Sequence, residues 1–375
     1  MGALHFPRPI SLQPAVTAKD IASRNALVGR IFEAALGTFD ILAIHIGHRL
    51  WLYDALASGE QLTAGELASR TGTNERYIRE WLEHQAVAGI LTVDGDVPDE
   101  RRFGLLPAHV EVLTDRDSLA YMSPLTSQLA GLTRPLDELL AAYRTGAGVP
   151  FAHYGAEIRE GIAGANRVLF INQLASEWMP AMPDVNARLL ADPPARIADV
   201  GCGSGWSSIA LARAYPLAIV DGLDLDEDSI AQARRNAEES GLAGRITFAA
   251  RDAADPALHH RYDFACAFEC IHDKSDPVRA LRAMRELVGP GRSALIGDER
   301  GAEKFTTPGD EIELMMYGFS ILHCLPVNLV DQPSAATGTV MRPDTWRQYA
   351  NVAGFASVAV LPVEHDLWRF YRLRS

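Results

Sequence analysis

From Ala195 onward the chain alternates between short β-type apolar runs and stretches with helical spacing, and few folds accommodate that pattern. The segments "RIADVG", "AIVDGLDL", "ITFAARD", "YDFACAFEC" and "SALIGDE" read as strands, and the spacing predicts a helix after each of the first four. Alternation of this kind implies a parallel sheet with right-handed crossovers, an α/β fold. The last two runs, "FASVAVLPV" and "LWRFYRLR", are joined only by "EHD". Three residues cannot make a crossover, so these two must pair antiparallel.

The first half has a different grammar. Residues 1–20 carry Pro7, Pro9 and Pro14 and read as an extended arm. Residues 21–112 open with helical apolar spacing from Ala22 to Leu56. Thr63 and Glu66 then form a capping-box pattern, "TG" at 71–72 breaks that helix, and Thr73 or Asn74 caps a second. "ILTVDGD" supplies a strand and a turn, which completes a winged helix-turn-helix. Residues 113–185 read as a helical linker and lid, and 186–375 as the α/β domain. A winged helix raises DNA binding as a function, but its second helix sets Arg76 and Arg79 against Glu75, Glu80 and Glu83. The net charge of −13 also opposes contact with phosphate or anionic lipid. Four cysteines in 375 residues make no disulfide framework. With no signal-peptide pattern and no apolar run of bilayer length, the expectation is a cytoplasmic protein.

The chemistry concentrates in "IADVGCGSGW" at 197–206. Gly201, Gly203 and Gly205 end the first strand, where an open α/β sheet binds its ligand. A dinucleotide fingerprint requires G-x-G-x-x-G, yet here the spacing is G-x-G-x-G and Trp206 follows. Asp199 before the glycines would repel a pyrophosphate and suits a cationic group. The next strand ends at Asp224, where a carboxylate can take ribose hydroxyls, and the third at Asp252, placed for an adenine amino group. Together they describe an adenosine with a positive tail.

This set resembles the class I S-adenosylmethionine-dependent methyltransferases over roughly Ala195 to Ser375. The resemblance implies a Rossmann-like seven-stranded sheet whose last strand is antiparallel, with S-adenosyl-L-methionine as co-substrate. It assigns Asp199, Gly201, Gly203 and Gly205 to the methionine end, Asp224 and Leu225 to the ribose, and Asp252 and Ala253 to the adenine, with Phe268 flanking the fourth strand end. The order of the whole chain is similar to small-molecule O-methyltransferases, and to related C-methyltransferases of α-keto acids. That likeness implies a homodimer acting on a small-molecule secondary metabolite.

In the O-methyltransferase group a His-Asp pair after the fourth strand supplies the general base; here His272 and Asp273 in "FECIHDKSDP" stand at that place. An imidazole can take a phenolic or enolic proton at neutral pH. Asp298 and Glu299 in "GDERG" fall at the pocket mouth, and one of these acids is expected to orient His272 or the substrate. Met316, Phe319 or Ser320, and His323 share one helical face, and Tyr154 in "VPFAHYG" belongs to a lid; Tyr154, Phe319 and His323 are the expected substrate contacts. Three alternatives stand beside O-methylation. One is C-methylation of an enolisable keto acid. Another, implied by the likeness to those C-methyltransferases, in which a His-Asp pair and a later histidine bind iron, is an iron site at His272, Asp273 and His323, a set that suits that metal. The third is a ligand-sensing transcriptional regulator.

Overall fold

The computed structural model describes residues 17–375, so most of the expected arm lies outside the described residues. The chain parts into two units, up to Leu106 and from Pro107.

The first unit opens with α1 (Ala18–Arg49), whose N-terminus is closed by a capping box between Thr17 and Asp20. Trp51 in the left-handed region, φ 59°, breaks the run before α2 (Leu52–Leu56). The Thr63–Glu66 capping box opens α3 (Ala64–Thr71), and Gly72, φ 67°, closes it. Asn74 then caps α4 (Glu75–Val87) by accepting from the amides of Arg76 and Tyr77. The wing is the antiparallel pair β1 (Leu91–Asp94) and β2 (Arg102–Leu105). Leu62 ties the wing to the start of α3 through two backbone bonds with Phe103, at 2.8 and 2.9 Å. Leu52, Leu56, Leu67, Ile78 and Leu82 fill the small core beneath.

The second unit begins with helices α5 (Pro107–Thr114), α6 (Ser123–Leu132), α7 (Leu136–Thr145), α8 (Gly155–Leu169) and α9 (Pro183–Leu190). Helix α8 continues through a π-helical segment, Phe170–Trp178. The sheet follows: β3 (Arg196–Val200), α10 (Trp206–Ala214), β4 (Ile219–Asp224), α11 (Glu227–Glu239), β5 (Ile246–Ala250), β6 (Phe264–Phe268), α12 (Pro277–Val288) and β7 (Ser293–Glu299). After α13 (Glu311–Phe319), a π-helical turn at Ser320–Cys324, α14 (Leu325–Asn328) and α15 (Pro343–Ala353) come β8 (Ser357–Val360) and β9 (Trp368–Arg374). Strand order is β5-β4-β3-β6-β7-β9-β8, with β9 antiparallel to both of its neighbours.

Every expected strand is present, and three of the four expected crossover helices. No helix joins β5 to β6; that link holds only a short 3-10 turn, Pro256–Leu258. Pro256 starts the turn and His260, at φ 55°, takes the chain out of the helical region, so no α-helical ladder propagates.

Both faces of the sheet are covered, as a largely parallel sheet requires. Successive strand residues point to opposite faces. Ile197, Phe264 and Leu295 accordingly join one core with Trp178 and Phe370, while Ala198, Ala265 and Ile296 join the other with Trp346 and Tyr371. The reversal of order at β3 leaves a crevice beyond the carboxyl ends of β3, β4, β5 and β6. Among the described residues no helix is long and apolar enough to cross a membrane.

Candidate active site

The turn after β3 is stitched to β4 by the Gly201 and Cys202 amides, both donating to Leu223 O at 2.7 and 3.2 Å. Two of its glycines are required for different reasons. Gly205, φ 81°, would place a Cβ only 2.6 Å from the Phe248 ring, so α10 could not lie so close to the sheet. Gly203, φ 50°, holds a left-handed conformation that a side chain rarely adopts, and it lines the crevice.

The acids of this region behave differently from one another. Asp199 is buried and turned backwards: its Oδ2 accepts from Ser207 and Ser208 Oγ, both at 2.6 Å. It therefore anchors the first turn of α10 instead of facing a cationic ligand as expected, and burial pushes its carboxyl up. Asp224 stays at the crevice. Its Oδ2 accepts from the Gly203 amide at 2.8 Å, and its Oδ1 from the amides of Leu225 and Asp226 at 2.7 and 3.0 Å. Three of about four acceptor positions are thus filled by backbone, leaving one for a ligand hydroxyl. Asp252 accepts from the Ala254 amide at 2.9 Å and pairs with Arg279 at 2.6 Å. Burial raises that carboxyl, but the amide and the guanidinium outweigh it and hold it below its ordinary value.

Two neighbouring hollows result. One, about 590 Å³, lies between the glycine turn, α8 and the end of β6, with Phe268 in its wall. The other, about 1120 Å³ and open to solvent, is lined by Asp224, Leu225, Asp252, Ala253 and Asp273. Gly201 and Phe151 border both. An elongated ligand with a nucleoside at one end and a smaller polar group at the other fits this shape and charge.

At the far side, His272 is 3% exposed. Its Nδ1 donates to Asp298 Oδ1 at 2.6 Å, and its Nε2 lies 3.3 Å from Asp273 Oδ1. Burial alone would depress the imidazole. The Asp298 and Asp273 charges more than reverse this and hold it well above its ordinary value. Of the two acids after β7, Asp298 orients the histidine. Glu299 points to the opposite side and meets Glu269. Asn328, which sequence reasoning missed, clamps this loop: its Nδ2 donates to the carbonyls of His272 and Lys274 at 3.1 and 2.6 Å. A lone amide inside the apolar "LPVNLV" was the available signal.

The three expected substrate contacts do come together. His323 packs its ring edge-on to Tyr154, with centroids 4.6 Å apart, and Phe319 packs on the cluster containing Tyr154. The Tyr154 hydroxyl donates to Leu322 O at 2.7 Å. The metal triad does not assemble as expected. Donor atoms of His272, Asp273 and Cys324 lie within 4.8 Å of one another, and His323 is outside that group. Burial and the Asp273 charge push the Cys324 thiol up to about 12.

A seven-stranded sheet with β9 reversed, a glycine turn and acids at its strand tips, and a winged helix ahead of it define the two-domain methyltransferase architecture. Comparison with known proteins agrees. A methyltransferase-domain model matches residues 197–291, and an Rv2258c-like winged HTH domain model matches 34–115. The ubiquinone biosynthesis O-methyltransferase of Aromatoleum aromaticum is 32% identical over 201 residues, 52% of this chain and 76% of that one. For four further curated relatives the matched segment spans 23%, 40%, 55% and 47% of their length. Among solved structures, human N-acetylserotonin methyltransferase in complex with SAM superposes with a TM-score of 0.67 at 16% identity, covering 93% of this chain and 97% of that one. NcsB1, an O-methyltransferase from neocarzinostatin biosynthesis, was crystallised with S-adenosyl-L-homocysteine and 1,4-dihydroxy-2-naphthoic acid. It gives a TM-score of 0.60 at 21% identity, covering 90% and 96%. The chain belongs to the S-adenosylmethionine-dependent methyltransferases.

Proposed function

We propose that the protein moves the methyl group of S-adenosylmethionine to a hydroxyl oxygen of a small aromatic acceptor, with His272 as general base. The observation that carries this reading is the buried His272–Asp298 pair, set between the nucleoside crevice and the Tyr154–Phe319–His323 cluster. Methyl transfer is an in-line displacement at carbon, so the acceptor oxygen must lose its proton as the sulfonium departs. Nδ1 is held by Asp298, which fixes the ring, and Nε2 lies beside Asp273, which lines the larger hollow; the acceptor hydroxyl is to be met from that side. At rest the two acids favour imidazolium, which cannot accept a proton. A sulfonium bound nearby opposes that positive charge and drives the proton off, readying the base only when the co-substrate is present.

The NcsB1 complex with a dihydroxynaphthoic acid supports the acceptor class, as does the name of the Aromatoleum relative. The winged helix serves this reading as an assembly module. Its arginines are already paired, Arg76 with Glu80 and Arg79 with Glu75 and Asp99. Helix α1 instead leaves Leu27, Val28, Ile31, Phe32 and Phe39 more than half exposed along one stripe. That stripe fits a second copy of the chain and supports a homodimer.

The test is incubation with methyl-labelled S-adenosylmethionine and a panel of hydroxynaphthoic acids, hydroxyquinones and enolisable keto acids, with products located by NMR. Label on oxygen supports the proposal, and label on carbon replaces it with the C-methyltransferase reading. His272→Ala is expected to keep S-adenosylhomocysteine binding while turnover falls about 10²–10⁴-fold. Unchanged turnover removes His272 as the base. Tight, salt-sensitive binding to the chain's own upstream DNA would favour the regulator instead.

A further inference from the structure

His272 and Asp273 are the two central residues of a turn closed by the Lys274 amide, which donates to Ile271 O at 3.1 Å. The turn lies beyond the last ladder pair of β6, Phe268 with Gly297, so strand pairing does not fix where it sits. A distant segment holds it instead, at three carbonyls. Asn328 Nδ2 donates to His272 O at 3.1 Å and to Lys274 O at 2.6 Å, and the Ala335 amide donates to Ser275 O at 2.8 Å.

Asn328 is 0% exposed, and each end of its amide is engaged. Oδ1 accepts from Ser334 Oγ at 2.6 Å, which turns the nitrogen toward the two carbonyls. Both hydrogens of that nitrogen go to the main chain of the turn; an ionised carboxylate in its place would have none to offer. The same short helix, α14, touches the acceptor side. Val327 packs, like Phe319, on the cluster of Val149, Tyr154 and Ile158, and Pro326 O accepts from the Val149 amide at 3.0 Å. Adjacent residues of one helix therefore meet the acceptor cluster and the base turn. Asp298, by contrast, belongs to the β7 ladder and cannot follow the turn should it shift. The 2.6 Å bond from His272 Nδ1 to Asp298 forms only where the turn is held in place.

We propose that Asn328 is a positioning residue for methyl transfer: it sets the His272 turn against Asp298 and keeps the base in register with the acceptor cluster. This rests on the reading of His272 as general base and adds the residue, outside the reacting groups, that places it.

The test is Asn328→Ala with three measurements. Calorimetry with S-adenosylhomocysteine is expected to give wild-type affinity, since Asp224 and Asp252 follow other strands. With the acceptor found by the labelled-methyl screen, kcat is expected to fall roughly 10- to 100-fold while KM for S-adenosylmethionine stays unchanged, as a displacement of about 1 Å at reacting groups would cause. The ring-nitrogen NMR shifts of His272, assigned by their absence from His272→Ala, are expected to move as the Nδ1 bond to Asp298 loosens. Wild-type kcat or wild-type ring shifts would overturn the proposal. Loss of S-adenosylhomocysteine binding in step with turnover would make Asn328 a support of the whole crevice and also overturn it. Should Asn328→Ala fail to fold, Ser334→Ala frees the amide without removing it and is expected to move the same ring shifts; unmoved shifts overturn the proposal. Normal turnover by His272→Ala is the separate result that would defeat the base reading itself, and this proposal with it.

Discussion

Replacing Asp298 with Asn probes the His272 pair with little change in shape. Asp298 is 1% exposed, and its Oδ1 accepts from His272 Nδ1 at 2.6 Å and from the Glu299 amide at 2.8 Å. Its Oδ2 has no partner, so the amide nitrogen of Asn can occupy that position without disturbing the bonds to Oδ1. What disappears is the charge. A hydrogen bond between ions contributes about 1.5–3 kcal/mol against about 1 for a neutral one, so the imidazolium formed in the transition state loses roughly 0.5–2 kcal/mol. Turnover on the plateau should fall roughly 2- to 30-fold. The sign of the pH effect follows from the same charge. In the wild type the carboxylates hold His272 above its ordinary value, so the base becomes competent as pH rises through that elevated value. Without Asp298, burial is less opposed, and the acidic limb of the rate profile should move to lower pH. The assay is turnover against pH with the acceptor found by the labelled-methyl screen, alongside NMR titration of the imidazole, which needs no acceptor. A limb that stays in place or moves to higher pH would refute this account of His272.

Two further outcomes test the scaffold. Gly205→Ala should abolish S-adenosylhomocysteine binding in calorimetry and lower Tm, because its Cβ meets Phe248 at 2.6 Å and Ala233 at 2.9 Å in a left-handed turn; near-native binding would show that the turn tolerates a side chain. Thr63→Ala removes the capping box of α3 and should cost about 1 kcal/mol of stability in denaturant unfolding, leaving co-substrate affinity unchanged.

Strand alternation in the sequence was enough to place the sheet and the glycine turn, because a two-sided buried sheet needs near-continuous apolar runs. What it could not supply was direction. Asp298 and Glu299 are neighbours on β7 and so point to opposite faces, which means only one can reach His272; register decides which, and register is a tertiary fact. Asp199 reads as a ligand contact until Ser207 and Ser208 are seen to claim it. His323 was read on a helical face with Phe319 and as a partner of His272 and Asp273, yet it is Cys324 whose donor atom groups with theirs, in a π-helical turn that a 3.6-residue period does not anticipate.

The position of β9 bears on synthesis. It sits between β7 and β8, and β8 pairs with no other strand. While the ribosome translates the stretch from Arg300 to Leu367, β7 presents an open edge with "SALI" in it, a template for pairing with another nascent chain. Truncation between Asp331 and Trp368 would make that temporary hazard permanent, so such fragments should accumulate as aggregates even though every residue of the ligand crevice has already been made.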